Sequence, residues 1–179
     1  MNLSKLFDMQ RKLDERIGRE HPPQPGEDRM AKKILALQVE LGELANEWRG
    51  FKFWSNDQEP RSKGEWIRST GIENGKFIDV YKNPLLEEYV DCLHFILSIG
   101  NSLENMNVTF YSKKHENLLT QFIEIQGTIY ELIAFPGEFG LLLSEFIGLG
   151  EMLGFKWEEI EEAYIQKNEV NFARQDNGY

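Results

Sequence analysis

Two short acidic motifs carry the first chemical signal. Glu40-Leu-Gly-Glu43 and Glu88-Tyr-Val-Asp91 each place two carboxylates three residues apart, and Glu47 extends the first set. On a helix, at about 100° per residue, Glu40, Glu43 and Glu47 fall within about 60° of one another. They lie beside the apolar stripe of Leu37, Leu41, Leu44 and Trp48 rather than opposite it. Taken alone, that edge reads as a solvated acidic face, since Glu is a good surface helix residue.

The second pair changes the reading. Glu88 and Asp91 sit within LLEEYVDCLHFILSI, which has little polar surface, and residues 83 to 112 contain no Lys or Arg. A buried carboxylate is costly unless it is paired or binds a metal. Two helices that each offer acids at i and i+3 can face one another across a bundle. Four convergent oxygen donors suit Mg²⁺ or Mn²⁺ far better than zinc, and such ions commonly hold phosphates.

The C-terminal segment offers the opposite charge. Lys167, Asn171, Arg174 and Gly178 fall on one helical face of a chain that is otherwise strongly acidic. A basic residue near a helix C-terminus complements the helix dipole. That accounts for one Lys or Arg, but not for Asn171, a weak helix former, between them. An acidic metal cluster with a Lys/Asn/Arg stripe reads as a clamp for a polyphosphate.

Two nearby residues read more plainly. Asp91-x-x-His94 is half of a di-iron Glu-x-x-His pattern, but His21 and His115 lack an acid three residues earlier, so the second half is missing. His94 is therefore expected as a hydrogen-bonded histidine in the core or at the site edge. Cys92, the sole cysteine, has apolar neighbours and is expected as an inert core thiol.

The elements that must position these groups are helical. Leu3, Leu6, Phe7, Leu13 and Ile17 mark a first helix, with Gln10 interrupting the apolar stripe, and the run 21–26 ends it. Glu27 and Asp28 open a second, where Met30, Ile34, Leu37, Leu41, Leu44 and Trp48 repeat at four and three and Gly50 is expected to stop it. Further helices are expected at 84–105, 116–135, 138–153 and 157–175, the 138–153 segment being apolar on most sides. Between them, residues 56–83 form a non-helical insertion. Asn74-Gly75 between the runs 66–73 and 76–81 signals a β-hairpin, and an irregular loop is the alternative. The expected fold is all-α: a bundle of about six helices in one domain, 1–179, with an insertion arm at 56–83.

Composition bounds the rest. The 179 residues are 41% apolar and carry a formal charge of −10, which supports a real core and argues against nucleic-acid or anionic-membrane binding. One cysteine allows no intrachain disulfide, and no long apolar run or signal-like start occurs, so a reducing cytoplasm is the expected setting.

These motifs resemble a known family. Glu40-Leu-Gly-Glu43 with Glu88-Tyr-Val-Asp91 is similar to the Glu-x-x-Glu … Glu-x-x-Asp signature of the all-α nucleoside triphosphate pyrophosphatases, the MazG-like superfamily. Within it, the chain most resembles the dimeric all-α dUTPases. Gln10-Arg-Lys-Leu13-Asp14 resembles their base-reading helix, and Lys52-Phe53-Trp54 their Lys-x-Trp. The tail Lys167-Asn168-x-x-Asn171-x-x-Arg174-Gln175-x-x-Gly178-Tyr179 is the most specific match.

The resemblance implies Mg²⁺-dependent hydrolysis of dUTP to dUMP and pyrophosphate by a homodimer, with Mn²⁺ as a substitute and two or more ions per site. Glu40, Glu43, Glu88 and Asp91 would hold the ions, and Glu43 would orient the attacking water. Lys167, Arg174 and Tyr179 would hold phosphates, with Asn171 near the sugar or the phosphates and Gln175 also binding substrate. Phe95 would pack on the deoxyribose, Gln10 and residue 14 would read the uracil edge, and Lys52 and Trp54 would help close the base pocket. The family usually has Asn where this chain has Asp14. An ionised Asp only accepts hydrogen bonds, whereas Asn also donates. Three alternatives follow: another group donates to uracil O4, the register is off by one, or the preference widens to dCTP or to dNTPs generally. A bundle that has lost activity and binds nucleotides or a protein partner is the reading from a different class.

Overall fold

The computed structural model describes residues 3–62, 65–73, 76–103 and 109–178. Six α-helices are present among them: α1 (Leu3–Glu20), α2 (Arg29–Trp48), α3 (Pro84–Ser102), α4 (Leu118–Glu131), α5 (Phe139–Met152) and α6 (Trp157–Asp176). Between α2 and α3, strands β1 (Glu65–Glu73) and β2 (Lys76–Lys82) pair antiparallel, with a register shift between Arg68 and Ile72. Asn74 and Gly75, where the sequence signals a tight turn, lie outside the described residues.

Local chemistry sets the helix ends. Asp28 accepts from the Ala31 amide at the start of α2. Asn83 does the same for the Leu86 amide ahead of α3, with Pro84 in the first turn. Asn117 caps α4 through the Thr120 amide. Each side chain satisfies a donor that the helix itself cannot.

Two boundaries differ from expectation. Helix α4 stops at Glu131 rather than 135: the chain tightens into turns over 132–134, with Ile133 and Ala134 bonding three residues back, and Pro136 holds Phe135 out of the helical region, at φ −130° and ψ 75°. The left-handed residue that ends α2 is Arg49 (φ 65°), not Gly50. Arg49 is held there by bonds from its guanidinium to the Asp57 carbonyl at 2.8 and 3.0 Å. Gly50 is needed for another reason: a Cβ there would overlap the Trp48 indole.

Helix α3 packs against α1, α2, α5 and α6, and its seam with α2 is the most extensive helix pairing. Leu37, Leu41 and Leu44 of α2 share one buried core with Cys92, Ile96 and Ile99 of α3, which lie on the same side of that helix as Glu88. Each such side chain contributes roughly 1.5–3 kcal/mol by burial. A surface ion pair contributes about 0–1 kcal/mol. The apolar seam, not the charges, therefore decides how α2 and α3 face one another.

On the far side, Tyr89 stacks on Phe146 of α5 at 4.3 Å and donates its hydroxyl to the Phe146 carbonyl at 3.0 Å. Helix α5 is buried continuously from Leu142 to Gly150, which fits its nearly uniform apolar composition. Its one charged residue in that run, Glu145, accepts from Lys113 Nζ (2.9 Å) and Thr128 Oγ1 (2.8 Å), with His115 Nε2 at 3.1 Å. This network pins the segment before α4 onto α5.

Gly148 marks the tightest point of that contact, where a Cβ would overlap the Lys113 carbonyl oxygen. Gly148→Ala is expected to cost about 1–3 kcal/mol in urea denaturation. Wild-type stability in that variant would show that the segment yields instead.

Candidate metal and nucleotide site

The α2–α3 seam brings together acids that are 40 to 50 residues apart in the chain. Carboxylate oxygens of Glu40, Glu43 and Glu88 lie within 4.8 Å of one another. Glu40 and Glu88 are half-buried and Glu43 is exposed. Burial, together with the negative charges of Asp91 and Glu43, raises Glu40 to about 6 and Glu88 to about 7. The three groups hold more negative charge than their surroundings balance. Their donors are all oxygen, as a hard divalent cation requires, so the set can hold a metal ion.

Asp91 does not join this trio as the fourth equal member. Its Oδ2 accepts from Lys167 Nζ at 2.6 Å, and the same ammonium reaches Glu87 Oε1 at 3.1 Å. The cation that segment 83–112 lacks is supplied from α6. Burial opposes the charge on Lys167, but the bonds and charges of Asp91 and Glu87 together outweigh this and raise its pKa. The ammonium read from the sequence as a phosphate ligand thus sits on the carboxylates. Glu47 is not among the three converging acids.

Another group, His115, Glu124 and Glu145, also has ligand atoms within 4.8 Å. There Glu145 already has Lys113, Thr128 and His115 as partners, and these hold it below the usual carboxylate range despite its burial. The Lys167 charge offsets the α2–α3 trio only in part and leaves Glu40 and Glu88 raised, which makes the trio the stronger attractor for a metal ion.

A cavity of about 510 Å³ opens from the acidic cluster between α1, α2, α3 and α6. Glu40 and Asp91 stand at one end, Phe95 lines its wall, and Asn171, Arg174 and Gln175 face it from α6. Arg174 donates to Asn171 Oδ1 at 3.3 Å, and Gln175 Oε1 is buried with no hydrogen-bond partner. Tyr179 lies outside the described residues. Lys52 and Trp54 do not line the cavity. Lys52 sits 5.7 Å over the Phe51 ring, and Trp54 is 65% exposed, edge-on to Phe51 and Phe53.

The far wall is a fixed polar network. Gln10 is buried, and its Oε1 accepts from the Tyr164 hydroxyl at 2.7 Å, while its Nε2 donates to Asp14 Oδ1 at 2.9 Å. Those two bonds orient the amide. His94 Nδ1, 2.7 Å from the same Oε1, must then carry the ring proton. Burial, aided by the Lys167 charge, pushes His94 down to about 3, so the ring is neutral. It stacks on Tyr164 at 4.1 Å. Its Nε2 is a buried acceptor with no partner. Ser98 donates to Asp14 Oδ1 at 2.9 Å, and Asp14 Oδ2 is also buried without a partner. Burial raises Asp14, against the Gln10 and Ser98 bonds and the Lys33 charge.

His94 is the hydrogen-bonded histidine at the core and site edge that the sequence indicates, whereas three residues escaped the sequence reading in their site roles: Ser98, Lys33 and Tyr164 behind the cavity wall. Two had a usable signal. Ser98 is seven residues after Asp91 and Lys33 seven before Glu40, each on the same helical face as the acid. Tyr164 had none, because its partner Gln10 is 154 residues away.

A helical bundle that gathers metal-capable carboxylates at one end of a largely apolar cavity set with a few amide, carboxylate and imidazole groups has the form of an all-α nucleotide hydrolase. A family model described as dUTPase matches residues 2–67 and 76–179, so the chain belongs to the dUTPase family and its activity is that of a dUTP diphosphatase. No curated protein matches the chain significantly.

The raised Glu88 has a consequence for stability. Between about pH 4.5 and 7 the folded state binds more protons than the unfolded one, so metal-free stability falls as pH rises through that window. With EDTA present, Glu88→Gln is expected to exceed wild type by about 1–2 kcal/mol above pH 7, allowing for solvent screening. The gain should shrink towards pH 4.5. Thermal melts across this range check it, and a variant no more stable at pH 8 would contradict the crowding of charge.

Proposed function

We propose that the protein cleaves dUTP to dUMP and pyrophosphate with Mg²⁺ held by Glu40, Glu43 and Glu88, and Asp91 beside them. The observation that carries this reading is the convergence of three under-compensated carboxylates at the mouth of a cavity walled by amides, hydroxyls and an aromatic ring. When bound, the metal neutralises the triphosphate and lowers the pKa of a coordinated water.

The chain's own residues do the rest. Glu43, the most exposed of the trio, orients the attacking water and takes its proton. Arg174, Asn171 and Gln175 hold the phosphates from α6. Lys167 exchanges part of its hold on Asp91 and Glu87 for a phosphate oxygen as substrate enters. Phe95 packs on the deoxyribose and leaves no room for a 2′-hydroxyl. Gln10 and Asp14 face the base, with Tyr179, Lys52 and Trp54 completing the pocket on closure. Residues 1–179 act as one domain, with 56–83 as its arm. No described helix is long and apolar enough to cross a membrane. The buried free thiol of Cys92 suits a cytoplasmic setting.

The test is pyrophosphate release from dUTP, dCTP, dTTP and UTP with Mg²⁺, each with an EDTA control. The expected result is EDTA-sensitive cleavage with dUTP strongly preferred over UTP and dTTP. Equal turnover of UTP would remove the role of Phe95. EDTA-resistant turnover would remove the metal.

The same proposal includes a homodimer. Leu119, Ile123 and Tyr130 form an exposed stripe along α4, at 49, 60 and 68% exposure, and Ile133 and Phe135 continue it. A contiguous apolar stripe of this kind marks an interaction surface. Light scattering is expected to give a dimer mass that falls to monomer in Ile123→Glu/Tyr130→Glu with helicity retained. A monomeric wild type would contradict it.

A further inference from the structure

The far end of the cavity has too many acceptors for the edge it is to read. Asp14 and His94 both line it, and Asp14 Oδ2 and His94 Nε2 are buried acceptors with no partner. The neutral His94 spends its one ring proton on Gln10, and an ionised Asp14 has none to give. A uracil edge presents one donor, N3–H, between two acceptors, O2 and O4. Two acceptors on the protein can satisfy only the N3–H. The carbonyls need donors, and a carboxylate at position 14 cannot supply the amide N–H that an Asn would.

Lys33 is the cationic donor placed to fill that gap. It lies on α2 seven residues before Glu40, roughly 10 Å along the helix axis from the acidic end of the cavity. It lines the same cavity as Asp14. Ser98 couples the two: its carbonyl accepts from Lys33 Nζ at 3.2 Å, and its hydroxyl donates to Asp14 Oδ1 at 2.9 Å. Lys33 Nζ also donates to Ser102 Oγ at 2.8 Å. These bonds use two of its three protons. The charge of each group favours the ionised form of the other, while burial opposes both.

We propose that Lys33 and Asp14 act as a split reader of the pyrimidine 4-position. Asp14 Oδ2 accepts N3–H, and the Lys33 ammonium donates to O4. Together they do what one Asn does alone, and they reject a 4-amino pyrimidine because its N4 hydrogens meet the ammonium. Asp14 without Lys33 favours that amine instead. The proposal rests on the dUTP reading of the cavity and names the group that decides between dUTP and dCTP.

The experiment is kcat/KM for dUTP and dCTP on wild type, Lys33→Met, Asp14→Asn and the double variant, with thermal melts as a check on folding. Lys33→Met is expected to lower the dUTP/dCTP ratio by roughly 10–100-fold, the loss of a charged hydrogen bond. The double variant is expected to recover most of that ratio, since Asn brings its own donor. A merely structural Lys33 would affect both substrates alike and would show no rescue. An unchanged ratio in Lys33→Met, with Asp14→Asn shifting it, overturns the role of Lys33 and leaves the base pocket intact. No shift in either single variant overturns the location of the base itself.

Discussion

The site depends on one constraint: the apolar seam between α2 and α3 forces like charges together. Leu37, Leu41 and Leu44 of α2 and Cys92, Ile96 and Ile99, which share the Glu88 side of α3, are buried in one core and leave the two helices little freedom in rotation. Glu40, Glu43 and Glu88 follow where the seam puts them. Their burial and mutual repulsion raise Glu40 and Glu88, and the burial energy of the seam outweighs that cost. A fold that holds carboxylates in this state has stored affinity for a divalent cation, because cation binding removes the repulsion.

The remaining charges are arranged around that tension. Lys167 reaches from α6 to Asp91 and Glu87, linking the C-terminal helix to the acidic end. The other large buried acid, Glu145, has been given its cation and donors by the 111–117 segment and α4, and needs nothing further. Two clusters of similar composition therefore play opposite parts. The difference lies in whether protein groups already balance the charge.

Much of this was legible in the sequence. The four-and-three spacing of apolar residues located α2, and the shortage of polar surface around Glu88 and Asp91 identified them as acids with a purpose. Gln10 stood out as a polar break in an apolar stripe, and it proves to be buried. What could not be read was long-range pairing. Nothing local tells that Lys167 will sit on Asp91, or that Tyr164 and His94 will share the Gln10 oxygen. The α2 stop was misplaced by one residue because the Arg49 left-handed turn depends on Asp57, eight residues on, and Gly50 serves the Trp48 ring instead. Lys52 and Trp54, grouped with the pocket by motif, do not line the cavity here and make local ring contacts instead.

The most direct measurement is anomalous diffraction at the manganese edge from crystals grown with Mn²⁺ and a non-hydrolysable dUTP analogue. The expected map has its strongest peaks among Glu40, Glu43 and Glu88, with the triphosphate adjacent and the pyrimidine towards Asp14. Peaks at His115, Glu124 and Glu145 instead, with the α2–α3 carboxylates bare, would contradict the claim that charge crowding at this seam creates the catalytic metal site.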